Sequence, residues 1–382
     1  MGIQLRWRKE GSADNKTRIE RAYSISAARK RLFILAVAVI VVIIYICSLM
    51  FGPVRIPFDE SFKIIVNMIA PGTYTDVSRI HTIIITRDMV YKSLLCLIAG
   101  FGLGIAGTMM QGILRNPLVS PFTLGVSSAA SFGAAVGIVL MPVFFESGTV
   151  YYTIMSGVTI SNTQIMRMIF AFIFGMLSIT IVLLMTRRTD ISKSTVILAG
   201  VIISYLFQAG VSFAKYLSDD DALRELTYWI MGSMSEGRPY VIMILFPALL
   251  CIFLVMEWLA PKINVLGAGD EVASSLGLNV ARIRNIGLLV AAAMTSAITA
   301  FTGVIGFIGL MAPHICRLFI GNDTRYLLPA SGLMGSAILL VSYIVSLTII
   351  PGQVLPIGIF MDILGGIFFV WLITRRKKEV RI

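Results

Sequence analysis

Residues 32–51 read LFILAVAVIVVIIYICSLMF, twenty residues without a charge. A helix rises 1.5 Å per residue, so a run of about 20 apolar residues matches the ~30 Å hydrocarbon core of a bilayer. The run follows a basic lead, Met1–Arg31, in which nine Lys and Arg stand against Glu10, Asp14 and Glu20. It lacks a small-residue cleavage pattern, so it is expected to persist as a helix rather than be removed as a signal peptide.

The rest of the chain repeats the theme. Of its 382 residues 57% are hydrophobic and only 14% charged, where a soluble domain carries about 25% charged residues; the mean hydropathy is +0.89. These values exclude a soluble globular protein. The polar gaps are too short to fold alone, so one membrane domain is expected over 32–374, between a basic segment at 1–31 and a basic tail at 375–382. The net charge of +12 does not point to nucleic acid. It gathers beside apolar spans, at Met1–Arg31 and at Arg375-Arg376-Lys377-Lys378, as the positive-inside rule requires. Both termini are therefore expected in the cytoplasm. Cys47, Cys96, Cys251 and Cys316 lie in or beside spans without a Cys-x-x-Cys pair, which argues for core thiols rather than disulfides or metal ligands.

Further spans are expected near 89–114, 122–141, 168–186, 195–217, 240–260, 286–310, 327–349 and 356–374, with a short helix after Pro313. Ten crossings return the chain to its starting side. Ile80–Thr86 is too short to cross and is placed in an outer segment, 52–88. From Asn116 to Met166 there is no Lys or Arg, which fits an outer loop at 142–166; Arg187-Arg188 mark an inner boundary, and Ser218–Glu225 lies outside. Gly107-x9-Pro117 is echoed by Gly303-x9-Pro313, on spans that run in opposite senses. Inverted repeats with helices broken at Gly and Pro are a transporter signature. The expected fold is all-α, with about ten transmembrane helices and an inverted internal repeat.

Several patterns carry candidate chemistry. Gly102-Leu-Gly104-Ile-Ala-Gly107 satisfies G-x-G-x-x-G, but inside a span it lacks the strand–turn–helix context that a dinucleotide requires. Gly100, Gly104, Gly107, Gly303, Gly306 and Gly309 read instead as small residues for close helix packing, or as lining of a passage. No G-x-x-x-x-G-K-[ST] sequence occurs, so an ATP-driven mechanism needs separate subunits. Residues 269–284, GDEVASSLGLNVARIR, read as two short helices around a Gly hinge, with Asp270 capping the first, Glu271 at its positive end and Gly277 ending it. Such an elbow suits a cytoplasmic partner or is a solvated loop. Asp362 is an acid in an apolar span, where acids usually face a cavity or a partner. His314 starts a helix after Pro313 as a structural or ligating residue; His81 says little. No catalytic cluster and no metal-ligand set is evident.

The ordered motifs resemble the FecCD-type permeases of ABC importers for iron–siderophores, haem and cobalamin. They are Arg115-Asn-Pro-Leu-Val-Ser-Pro-Phe-Thr-Leu-Gly125, Leu198-Ala-Gly200-Val, Trp229-Ile-Met-Gly232-Ser, Gly306-Phe-Ile-Gly-Leu-Met-Ala-Pro-His314-Ile-Cys-Arg317, Leu327-Leu-Pro329 and Leu355-Pro-Ile-Gly358, then Leu364-Gly365. The resemblance implies a homodimer around a central pathway, two ATPase subunits beneath it, a substrate-binding protein above it, and a metal chelate as cargo. It implies no cofactor on this chain. Asp270, Glu271, Ala273, Leu276, Gly277, Leu278, Arg282 and Arg284 would form the ATPase-coupling segment. Arg115, Asn116, Pro117, Arg187, Arg188, Asp190 and Ser192 would lie at the cytoplasmic gate, and spans five and ten, with Asp362, along the passage. The chain departs from the family at Met89-Val-Tyr-Lys92, at Ser120, and at Met361-Asp362 and Ile367, which leaves the chelate open among siderophore, haem and cobalamin. An ion-coupled transporter using Asp362 is the rival from another mechanistic class.

Overall fold

A computed structural model describes residues 2–52, 54, 56–140, 150–154, 158–186, 193–350 and 353–379. Thirteen helices carry these residues: α1 Gly2–Ser48, α2 Phe58–Ile69, α3 Arg79–Leu114, α4 Val126–Leu140, α5 Asn162–Thr186, α6 Lys193–Leu217, α7 Asp220–Ile230, α8 Pro239–Gly267, α9 Asp270–Ser275, α10 Val280–Thr302, α11 Ile308–Ile320, α12 Thr324–Thr348 and α13 Ile357–Glu379. Among the described residues seven helices are long and apolar enough to cross a bilayer, and α4, α11 and the 357–372 part of α13 are shorter apolar helices. Together they make the ten expected apolar helices of a multi-pass membrane protein. Among the described residues the one addition to the all-α scheme is a hairpin, β1 Tyr151–Ile154 and β2 Val158–Ser161, paired antiparallel with Tyr151 opposite Ser161.

The bundle is organised around α3. In its most apolar stretch 83% of residues are buried, against 17% for α1. Helix α3 packs on α12, α10, α8 and α11, while α4 packs on α5 and α6. Small residues allow the tightest crossings: a Cβ on Gly100 would fall on the Gly335 carbonyl, and one on Gly107 on the Gly309 carbonyl. Water-driven burial is absent between lipid-solvated helices, so such backbone approach is what binds them. At the other extreme, α13 touches little beyond α12 and α11.

The repeat is visible as a long helix, a break and a short helix. Helix α3 ends at Arg115, left-handed at φ 49, and α4 starts only after Gly125. Helix α10 ends at Gly303, and α11 starts after Phe307, left-handed at φ 64. The end of α3 meets the start of α10, since Arg115 and Arg284 both pair with Asp270, so the two units run in opposite senses. The Gly-x9-Pro echo, however, falls on different places in the two units. Pro117 lies in the first break, whereas Pro313 lies inside α11 rather than before it.

Other boundaries also move. Ile80–Thr86 is not a separate outer piece but the beginning of α3, with a π turn at Ile84–Met89. The charges at Arg87 and Asp88 do not end the helix; Asp88 pairs with Lys92 one turn on at 2.7 Å. The third span starts at Val126, because Gly125 at φ 81 completes a turn first. Helix α5 starts at Asn162, inside the expected loop, and the 218–225 stretch is mostly α7, capped by Asp219, which accepts from Ala222 N at 2.8 Å. Helix α8 runs through Pro247 and Pro261 to Gly267. The expected span 286–310 divides into α10 and the start of α11.

Candidate functional site

A polar basin of about 600 Å³ lies where α3, α8, α11 and α12 meet, with Thr108, Gln111, Arg115, Asn264, His314 and Arg317 on its wall. The position of Gln111 on that wall is explained by a proline. Pro313 has no N–H and so leaves the carbonyl of Gly309, four residues earlier, without its helical donor. Gln111 Nε2 donates to that carbonyl at 3.0 Å. The same amide accepts from Arg317 Nη2 through Oε1. One side chain of α3 thus restores the bond that Pro313 removes and holds a guanidinium at the basin wall. His314 also lines the basin, its ring edge-on to Phe368 at 5.8 Å. Asn264 closes the far side, donating to Asp323 Oδ1 at 2.7 Å and accepting from Thr324 N at 2.8 Å. Asp323 is drawn two ways: burial raises its pKa, while hydrogen bonds from Arg325 and Asn264 lower it, and the net direction is down.

The elbow sits beside the basin. Asp270 does not cap α9, contrary to expectation: Gly269, at φ 135, holds the N-cap position without a side chain. That frees the Asp270 carboxylate to pair with Arg115 at the end of α3 and with Arg284 at 2.9 Å in the first turns of α10. Three elements are bolted at one carboxylate. Gly277, at φ 80, ends the turn as expected. Instead of a second short helix, the chain then enters α10 directly, capped by Asn279, which accepts from Arg282 N at 2.9 Å. Ala273 is buried and Leu278 half-buried, while Glu271, Val272 and Leu276 are exposed together. The elbow therefore has a fixed inner face and a mixed acidic and apolar outer face.

A second cluster lies at the other end of α8. Arg167, 8% exposed, donates to Glu225 and to Glu236 at 2.8 Å each. Tyr240 Oη donates to Glu236 at 3.4 Å. A cavity of about 310 Å³ opens there against Trp229, Ser233 and Leu355. Tyr240 and Asn264 are 24 residues apart on one helix, about 36 Å at 1.5 Å per residue, so the two cavities face opposite sides of the bilayer. Beyond it, Glu60 on α2 accepts from Ser78 N at 2.8 Å and pairs with His81 at 2.7 Å; the Ser78 bond first, then His81, pull its carboxyl below the ordinary value.

Of the sequence candidates, Arg115, Asn116, Pro117 and His314 share the basin, Gly107 and Gly309 meet in the helix contact behind Gln111, with Pro313 one turn on, and Asp270 and Arg284 hold the elbow to Arg115. Gly303 lies apart, near Trp229, and Asp362 lies beside Gly306. Arg187, Arg188, Asp190 and Ser192 lie outside the described residues. Gln111, Arg317, Asn264 and the Arg167 cluster are absent from the sequence candidates. Gln111 had a legible signal, a lone amide within an apolar span. Arg167, Glu225 and Glu236 had none, because their partnership is purely tertiary. Among the described residues no group of three or more His, Cys, Asp or Glu is placed to hold a metal ion.

Comparison with known proteins is consistent along nearly the whole chain. The profile of the FecCD transport family matches residues 40–375. The hemin transport system permease protein of Yersinia pestis is 34% identical over 290 residues, covering 75% of this chain and 82% of its own length. The Fe(3+)-citrate import system permease protein of Bacillus subtilis is 30% identical over 351 residues, covering 92% and 97%. A solved metal-chelate type ABC transporter in an inward-facing conformation superposes with a TM-score of 0.74 at 25% identity, covering 90% of this chain and 98% of the other.

Proposed function

The chain belongs to the FecCD transport family, and on that premise we propose that it is the permease subunit of an ABC importer that carries an iron(III)–siderophore or similar metal chelate into the cytoplasm. Haem and cobalamin are the alternative cargoes. The observation that carries the reading is the elbow: Asp270 ties it to two spans, and it leaves Glu271, Val272 and Leu276 exposed together. A force applied there is transmitted straight to α3 and α10.

The chain acts without covalent chemistry or a bound cofactor. ATP is hydrolysed on two separate cytoplasmic subunits that dock at the elbow. A second copy of the chain completes the pathway, an extracytoplasmic binding protein delivers the chelate, and both termini lie in the cytoplasm. The basin and the outer cavity, on opposite sides of the bilayer, support alternating access. Arg115, Asn116 and Pro117 stand at the inner gate, and Arg187, Arg188, Asp190 and Ser192 are assigned there from sequence alone.

Reconstitution tests this. Proteoliposomes holding the permease, its ATPase and its binding protein should accumulate chelate only with ATP. Uptake driven by a proton gradient without the ATPase would overturn the reading in favour of an ion-coupled carrier. Glu271→Lys combined with Gly277→Pro should abolish ATPase co-purification while the protein still inserts; retained coupling would place the contact elsewhere.

A further inference from the structure

The short helices put irregular backbone inside the bilayer. Helix α11 has 13 residues, about 20 Å at 1.5 Å per residue, where the hydrocarbon core is ~30 Å thick. Its last turn lies at the inner rim beside Asn264 and Asp323, so its first residue lies well within the apolar slab. Segment 303–307 descends to it from the outer end of α10. Segment 116–125 rises from the inner rim to α4. The two meet: a Cβ on Gly309 would stand 3.5 Å from Pro121, and one on Gly306 would stand 3.7 Å from the Phe122 ring. Non-helical backbone at membrane depth survives only where protein covers it or where it lines a water-filled cavity.

Asp362 Oδ1 lies at this junction, 2.9 Å from where a Gly306 Cβ would be. The side chain is exposed in the protomer and, among the described residues, meets no hydrogen-bond or ion-pair partner. It stands at one edge of the exposed stripe formed by Ile359, Ile363, Ile367 and Val370 on α13. An unpaired carboxylate is too costly to face lipid and marks a partner or an aqueous route. The N-terminus of α11 at its back contributes only partial positive charge, so the net field at the junction is negative.

The family resemblance already puts this span along the passage; we propose that Asp362 there sets the charge preference of the cargo, passing cationic and neutral chelates and rejecting anionic ones. This rests on the permease reading. In a homodimer the twofold axis brings two such carboxylates to one route, and a low-dielectric passage focuses their field. The carboxylate acts as a fixed charge and not as a proton carrier.

The test compares ATP-driven uptake of a cationic, a neutral and an anionic ferric hydroxamate or carboxylate chelate by the full reconstituted complex, in wild type, Asp362→Asn and Asp362→Glu. The ratio of cationic to anionic uptake, normalised to wild type, should fall about tenfold in Asp362→Asn, the low end of what field focusing achieves. Asp362→Glu should keep the wild-type ratio. An unchanged ratio in Asp362→Asn would overturn the proposal. So would an equal loss for all three chelates, which would assign Asp362 to pairing across the dimer. If wild type transports no chelate with ATP, the permease reading itself fails, and this inference falls with it.

Discussion

Along α3, a Cβ on Gly100, Gly104 or Gly107 would run into the backbone of α12 or α11; along α13, Ile359, Ile363, Ile367 and Val370 are exposed, and Gly366 has open space around it. Both helices are apolar, so hydropathy does not tell them apart. Their neighbours do. Helix α3 is held by backbone contact on several sides, while much of α13 has few neighbours among the described residues. A transporter needs both properties: a frame that keeps its shape and a wall that can be rearranged against a partner. The glycine seam supplies the first, and on the proposed reading the carboxylate-bearing face of α13 serves the second.

The sharpest way to break this contrast is to add the same bulk to each helix. Gly107→Leu should cost about 3 kcal/mol or more through overpacking against backbone and yield aggregated protein in size-exclusion chromatography, whereas Gly366→Leu should leave the purified protomer's thermal midpoint nearly unchanged. Equal damage from both would erase the distinction. Next in size is Gln111→Ala, which strips the Gly309 carbonyl and Arg317 of a partner; leaving buried polar groups unsatisfied costs about 1–3 kcal/mol, readable as a lower melting temperature in detergent.

Asp270→Asn should be milder for stability, about 0.5–1 kcal/mol for a half-exposed ion-pair cluster, yet it should reduce ATPase stimulation by the permease disproportionately. A stability loss without a coupling loss would separate the elbow from the frame. The smallest effect lies on α2. Because the Glu60 carboxyl is pulled below its ordinary value of 4.5, its contribution is present above that value and is lost as pH falls through the lowered one. Limited proteolysis should therefore open the 58–82 segment as pH drops below about 4.5, and Glu60→Gln should weaken that dependence, leaving the part carried by the Lys63–Asp76 pair.

Much of this was legible in the sequence, for physical reasons. Spans announce themselves because lipid requires unbroken apolar helices, and Gly277 could be read as a stop because a left-handed residue is nearly always Gly. Boundaries were harder. Ile80–Thr86 looked detached because Arg87 and Asp88 mimic an interface, when the Asp88–Lys92 pair lets charge ride on a continuous helix. Asp270 looked like a cap because local spacing says nothing of Arg115, 155 residues away. The Arg167 cluster and the Gln111–Gly309 bond join elements that only tertiary folding brings together.

The proline-vacated carbonyl has a consequence for sequence drift. Gln111 is needed where it is because residue 313 cannot donate, so the two positions are epistatic. In a Pro313→Ala background the Gly309 carbonyl regains its own helical donor, and replacement of Gln111 should become easier to tolerate, with only Arg317 left to notice. A suppressor screen starting from a Gln111 lesion should therefore recover substitutions at Pro313, 202 positions along the chain, before it recovers any at the neighbours of Gln111 in sequence.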